Sequence, residues 1–259
     1  MRDFAGEEAL QQLDKALLEA LPSASESLSQ LTEFFALLDS PRPDITTTMP
    51  AYSTQGREIS VIQNKEELDL AIESLKYTRL IGFDSEQKPT FKKGETPNGV
   101  AVIQLATPNL CYVIQIKKIK DISSLIALIE NDNIVKVGIN LVGDREALYS
   151  EFGIKMRGTI DIDRVLSKLT SRNSIGAKKA ARIFLNQNLQ KSKSMSTSNW
   201  ETPTLSQSQI KYAAEDACIV YDVTVHLLKT YPFVMQAMPL WFQENFKDEK
   251  YSTVLSLKE

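Results

Sequence analysis

The 259-residue sequence has one histidine, His226, and two cysteines, Cys111 and Cys218. A zinc site needs three or four clustered ligands, and one histidine with two scattered cysteines cannot make one. The cysteines stand far apart in apolar surroundings, Leu110-Cys111-Tyr112-Val113 and Ala217-Cys218-Ile219-Val220. They read as buried free thiols of a reduced compartment. A serine or cysteine nucleophile activated by histidine would have to rely on His226 alone, which falls in a late apolar helical pattern. Any chemistry must therefore come from carboxylates, tyrosine or lysine. No apolar run reaches the roughly 18 residues of a membrane span. The N-terminus carries Asp3, Glu7 and Glu8 and has no secretory or Arg-rich transit pattern. The expectation is an intracellular protein, cytoplasmic or nuclear, with no membrane partner. Nor is there an excess of positive charge: the net charge is −3. A nucleic-acid binder of this balance needs a local basic patch, while an acidic metal site can leave the whole chain mildly acidic.

What is present is an ordinary globular composition, with 42% hydrophobic and 24% charged residues. Leu10, Leu13, Leu17, Leu18 and Leu21 keep helical spacing, and so, after Pro22, do Leu28, Leu31, Phe34, Phe35 and Leu38. Residues 1–40 thus read as an N-terminal helical extension. Pro41, Pro43, Pro50 and a threonine run mark 41–57 as a linker. The main domain runs over 58–230, followed by a C-terminal helix and tail over 231–259. In it, strands are expected near 59–62, 79–84, 99–106, 110–116, 134–139 and 158–162. Helices are expected near 64–75, 122–130, 142–152, 162–170, 174–186, 205–229 and 232–246. Thr107-Pro108-Asn109 is a hairpin signal. Strands clustered early and then alternating with helices predict an α/β fold with a mixed sheet.

Acidic residues interrupt this apolar pattern in three places. Asp84 and Glu86 end the strand Leu80-Ile81-Gly82-Phe83-Asp84-Ser85-Glu86, and residues two apart share a strand face. Two such charges repel by roughly 1 kcal/mol in water and about 4 kcal/mol at an effective dielectric near 20, unless a cation lies between them. Asp144 follows the strand 134–139, in the first turn of the next helix, where open α/β sheets place ligands. Tyr212 and Asp216 are four apart and share a helix face, with small Ala213, Ala214 and Ala217 around them. Glu215 reads as a surface residue of that helix.

Together these stretches resemble the DEDD 3′-5′ exonucleases, in particular the tyrosine (DEDDy) subclass of the RNase D and Werner-syndrome-type group. Gly82-Phe83-Asp84-Ser85-Glu86 is similar to the first motif, Gly138-Ile139-Asn140-Leu141-Val142-Gly143-Asp144 to the second and Tyr212-Ala213-Ala214-Glu215-Asp216-Ala217 to the third. Gln104-Leu105-Ala106, Cys111-Tyr112, Lys191-Ser192-Lys193-Ser194, Ser198-Asn199-Trp200 and Leu205-Ser206 also resemble the Werner-type pattern. The resemblance spans about 58–230. It implies an RNase H-like mixed β-sheet flanked by helices. It implies that Asp84, Glu86, Asp144 and Asp216 hold two divalent metal ions, Mg²⁺ or Mn²⁺, suited to hard oxygen ligands. It implies that Tyr212 orients or deprotonates the attacking water, so that the catalytic set is Asp84, Glu86, Asp144, Tyr212 and Asp216. It further implies that Asp161 or Asp163 supports the site from behind.

The expected activity is hydrolysis of terminal phosphodiester bonds from the 3′ end, releasing nucleoside monophosphates, with a lean toward DNA over RNA. The alternative is a nucleic-acid-binding subunit on an inactive nuclease fold. The expected partner is a single strand or the 3′ end of a duplex. Lys88, Asn140, Lys178, Lys179, Lys193 and Trp200 are the candidate nucleic-acid contacts. Lys92, Lys93, Arg172, Arg182, Lys191 and Lys211 add positive charge for phosphates. Phe91 and Trp200 are candidate stacking groups, and packing against the helix start at Leu205 is the alternative for Trp200.

Overall fold

The computed structural model describes residues 24–39, 49–54, 56–90, 94–96, 98–169 and 174–246. The helix expected near residues 6–21, residues 41–48 of the expected linker, Phe91, Lys92, Lys93, Arg172 and the tail from 247 lie outside the described residues.

Among the described residues, six strands form one mixed sheet and eleven helical elements accompany it. Helix α1 (Ala24–Asp39) precedes β1 (Glu58–Ile62), α2 (Lys65–Leu75), β2 (Leu80–Gln87), β3 (Val100–Ala106) and β4 (Leu110–Ile114). A short 3₁₀ turn (Ile116–Lys118), α3 (Ser123–Ile129), β5 (Val135–Gly138), α4 (Val142–Phe152), β6 (Thr159–Asp161) and α5 (Ile162–Leu169) follow. Then come α6 (Ala177–Leu185), α7 (Lys193–Ser196), α8 (Gln207–Thr230), a 3₁₀ segment (Pro232–Ala237) and α9 (Leu240–Phe246). The strand order is β1-β4-β3-β2-β5-β6. β2 runs antiparallel to β3 and parallel to β5, which puts it at the centre with apolar neighbours on both faces. This is the mixed α/β sheet that the sequence pattern predicts. The hairpin at Thr107 closes as expected: its N–H donates to Leu110 O at 2.8 Å, and Leu110 N–H returns to the Thr107 hydroxyl at 3.0 Å. The terminal helix expected over 232–246 is split at Pro239, which has no N–H to continue a helix.

Alternation along β2 decides what each face carries. Ile81 and Phe83 point into a core with Leu68, Leu75, Leu125 and Leu148 from α2, α3 and α4. Leu80, Gly82, Asp84 and Glu86 share the opposite face. There α8 lies against β2, β3, β4 and β5. Gly82 makes this possible: a Cβ there would sit 2.1 Å from Ala217 O and 3.0 Å from Tyr221 Cβ. Ala213, Ala214 and Ala217 are the small residues on the helix side, all fully buried. The helix starts with a complete capping box, in which Ser206 and Gln209 satisfy each other's backbone N–H groups.

α1 joins the α8 side of the core. Phe34 stacks on Phe184 with ring centroids 5.8 Å apart and meets Tyr231 and Phe233 edge-on at 5.1 and 5.2 Å. The described end of the expected linker is also bound down. Tyr52 donates to Asp222 Oδ2 on α8 at 2.7 Å, and Arg57 grips the same carboxylate with both terminal nitrogens. The Arg57 Nε–H donates to Thr107 O at 2.6 Å, so this guanidinium ties the segment before β1 to the β3–β4 turn and to α8. In β5, Lys136 breaks an otherwise apolar strand. It is fully buried and donates to Asn131 O at 2.6 Å, and burial lowers its pKa to about 8. No helix among the described residues is long and apolar enough to cross a membrane.

Two substitutions test this framework. Gly82→Ala should lower the unfolding free energy by about 1–3 kcal/mol, because the added methyl meets helix backbone that cannot rotate away. A urea midpoint unchanged from wild type would show that α8 can retreat freely. Arg57→Ala should cost more, about 3–5 kcal/mol, because it strands the Asp222 carboxylate in a nearly closed site. A loss below about 1 kcal/mol in the same measurement would rule out a buried, uncompensated charge.

Candidate active site

Three elements deliver the acidic residues to one place. The last four residues of β2 are only partly buried, where the first four are fully buried. Asp84 and Glu86 thus stand where the sheet opens to solvent. The register with β3 shifts between Glu86 and Gln87, so the strand bends away just beyond them. α8 brings Asp216 down onto the same face. Ligand oxygens of Asp84, Glu86 and Asp216 all lie within 4.8 Å of one another.

Asp144 approaches from the neighbouring element and stands outside that trio. It sits in the first turn of α4 and accepts a hydrogen bond from the Ser85 hydroxyl, which points away from Asp84 along the strand. Its charge nevertheless acts on Asp84. The turn that leads to it is held by Asp161. That carboxylate accepts from the N–H groups of Asn140 at 3.0 Å, Leu141 at 3.1 Å and Asp163 at 3.2 Å. Asn140 adopts a left-handed conformation with φ 63°. Gly138 just before it leaves room for Leu141, since a Cβ there would lie 2.3 Å from Leu141 Cδ2. Asp163 faces elsewhere and caps Ile175 N–H at 2.5 Å. Of the two acids left open by the sequence, Asp161 is the one that holds the turn leading to Asp144.

Burial dominates the electrostatics. It pushes Asp84 well above the usual carboxylate range, reinforced by the charges of Asp216 and Asp144. Burial and the neighbouring Asp84 and Asp216 push Glu86 up to about 9. Asp144 and Asp216 are raised for the same first reason. At Tyr212, burial and then repulsion by Asp216, Glu86 and Asp84 raise the phenol well above its ordinary value, so it keeps its proton at neutral pH. Carboxylates this crowded favour either protons or a cation, and hard oxygens in this number fit a divalent ion.

One cation is built in. The Lys191 ammonium lies 2.7 Å from Asp216 Oδ1 and 5.6 Å from the centre of the Tyr212 ring. That oxygen is almost fully buried and has no further hydrogen-bond partner among the described residues. Burial opposes the charge on Lys191, but Asp216, Asp84 and Glu86 outweigh it and raise its pKa. Sequence reading placed Lys191 in a Werner-type stretch and among residues that could meet phosphates. Its separation of 25 residues from Asp216 gave no sign of the pair.

The expected nucleic-acid contacts separate. Lys179 and Lys193 are exposed on α6 and α7, and Asn140 is exposed at its turn. Lys88 is paired to Glu201 at 3.4 Å, and Lys178 donates to the Lys191 carbonyl at 2.7 Å, so both are at least partly spent inside the protein. Trp200 must be corrected. It is fully buried and packs on Tyr212 with ring centroids 5.9 Å apart, so no base can stack on it. Glu215 is corrected as well: it is buried, not a surface residue, and Lys211 stands 3.8 Å away. Gln104 was legible only as part of a motif. It pairs with Asp84 across β2 and β3 and is fully buried, with neither end of its amide hydrogen-bonded.

The raised carboxylates bind protons in the folded state that the unfolded chain has released. Between the ordinary carboxylate range and about 9, where Glu86 titrates, stability therefore falls as pH rises. In EDTA the melting temperature should drop from pH 5 toward pH 9, and Glu86→Gln should flatten that slope. A melting temperature independent of pH over this window would mean that the charges are already neutralised.

Comparison with known proteins agrees with this arrangement. A family model described as 3'-5' exonuclease matches residues 59–231. A 3'-5' exonuclease of Arabidopsis thaliana is 33% identical over 139 residues, covering 53% of this chain and 48% of the relative. The mouse bifunctional 3'-5' exonuclease/ATP-dependent helicase WRN is 33% identical over 141 residues, covering 53% of this chain and 10% of the relative. The chain thus spans half or less of the length of these relatives. The structure of Escherichia coli RNase D superposes with a TM-score of 0.63 at 22% identity, over 73% of this chain and 48% of that one, which matches the RNase H-like fold. With more than half of its length matched by the family model, this chain belongs to the 3'-5' exonuclease family.

Proposed function

We propose that the chain is an active, metal-dependent 3′-5′ exonuclease that hydrolyses terminal phosphodiester bonds and releases nucleoside monophosphates. The observation that carries this reading is the trio of Asp84, Glu86 and Asp216, with ligand oxygens within 4.8 Å of one another. Such a set is repulsive by itself and fits hard divalent cations, Mg²⁺ or Mn²⁺. Asp84, Glu86 and Asp216 would hold them, with Asp144 as the fourth ligand beside its Ser85 contact. When bound, two such ions would supply an activated water and charge stabilisation for the leaving 3′ oxygen.

The chain's own groups have the remaining tasks. Tyr212, one turn before Asp216 and protonated, orients the water through its hydroxyl rather than taking its proton. Asp161 keeps Asp144 in place through the Asn140 turn. The exposed Lys179, Lys193 and Asn140 meet the strand's backbone, giving sequence-independent and salt-dependent grip. The Werner-type likeness of the flanking motifs leans the reading toward DNA. The RNase D structure, described as that of an exoribonuclease, makes RNA the necessary second substrate to try.

The test is a 5′-labelled strand, single-stranded or recessed, as DNA and as RNA, incubated with Mg²⁺, Mn²⁺ or EDTA. A ladder shortening from the 3′ end is expected, absent in EDTA. Asp84→Asn and Asp216→Asn should each cost on the order of 10³-fold in rate, the scale of several kcal/mol of lost charge stabilisation. Retention of the strand without shortening under either metal would instead support a binding protein on an inactive nuclease fold.

A further inference from the structure

The carboxylate trio is not left bare, because Lys191 reaches into it. Lys191 precedes α7, in a segment whose backbone is fixed on both sides. Its carbonyl accepts from Lys178 Nζ at 2.7 Å, its N–H donates to Leu189 O at 3.2 Å, and Leu189 is buried. The side chain keeps 28% of its surface in contact with solvent. Its ammonium stands 2.7 Å from Asp216 Oδ1. That carboxylate side chain is only 3% exposed, and beyond this ion pair Oδ1 has no further hydrogen-bond partner among the described residues. A buried carboxylate oxygen that meets a single ammonium has capacity left for a ligand.

We infer that Lys191 is a positioning residue that acts as an internal counter-ion: it occupies the cation seat on Asp216 and must swing off when a divalent ion binds. This rests on the metal-dependent reading above. A single ammonium cannot neutralise Asp84, Glu86 and Asp216 together, whereas a divalent ion brings twice the charge and takes oxygens from several carboxylates at once. The ammonium on its flexible four-carbon stem can leave without moving the backbone. Lys191 therefore has two opposed effects. It lowers the repulsion that the metal-free fold must bear, and it competes with the metal for Asp216.

These effects are separable by Mn²⁺ titration, followed by the free-ion paramagnetic resonance signal, on full-length wild type, Lys191→Met, Lys191→Arg and the remote control Lys229→Met. Lys191→Met should bind Mn²⁺ on the order of tenfold more tightly, the scale of removing one competing charge. The same variant should melt at a lower temperature in EDTA and gain more on adding Mn²⁺. Lys191→Arg and Lys229→Met should stay near wild type. Equal or weaker Mn²⁺ binding by a folded Lys191→Met would overturn the inference.

A second measurement needs no loss-of-charge variant. In wild type with ¹³C-labelled lysine, saturating Mg²⁺ should shift the Lys191 ε-carbon resonance, assigned by its loss in Lys191→Arg. A resonance unmoved at saturation would also overturn the inference, while leaving the metal reading intact. Wild type that binds no Mn²⁺ at all would remove both.

Discussion

How closely α8 can lie on β2 governs the rest of the structure. With Gly82 on the strand and Ala213, Ala214 and Ala217 on the helix, backbone meets the sheet with almost no side chain between them. That proximity is what places Asp216 beside Asp84 and Glu86. A larger side chain at any of these positions would separate ligands that must lie within a few ångströms. The close packing also limits the water that reaches these carboxylates, and burial is the leading cause of every raised one there. Geometry and electrostatics thus share one origin.

The helix is secured at two levels. Near its start, the Ser206–Gln209 box fixes the entry, two turns before Asp216. One and a half turns beyond it, Arg57 and Tyr52 clasp Asp222 and bind α8 to the β3–β4 turn and to the segment before β1. The acidic site lies between these fastenings. Repulsion among its carboxylates acts on a helix held on both sides, so the strain is met by partners such as Lys191 and Ser85 rather than by retreat of the helix.

The sequence made the local pairs legible. Alternation put Asp84 and Glu86 on one strand face, and four-residue spacing put Tyr212 and Asp216 on one helix face. Both are properties of a single element, which periodicity reports directly. The mixed sheet followed from the succession of strand and helix patterns, while the order of its strands did not. Contacts between elements were another matter. Ser85 to Asp144 and Lys191 to Asp216 join residues with no shared period. Trp200 could serve as a stacking group or pack at the helix start by sequence alone, and the structure places it fully in the core. Glu215 misled, since a helix that lies flat on a sheet buries more of its circumference than an amphipathic stripe implies. Lys136 stood in an apolar strand, and only the carbonyls of Asn131 and Leu128 explain how its ammonium is tolerated there.

The inward turn of Trp200 gives this protein an optical property. Of its two tryptophans, Trp200 lies under the site with its indole ring 5.9 Å from Tyr212, while Trp241 stands on α9 beside Phe242. The Trp200 indole N–H has no hydrogen-bond partner, so its emission is set by the local field rather than by a bound neighbour. That field changes whenever charge enters or leaves the carboxylates across the tyrosine ring. The site therefore carries its own fluorophore, and native emission can follow its state without any label.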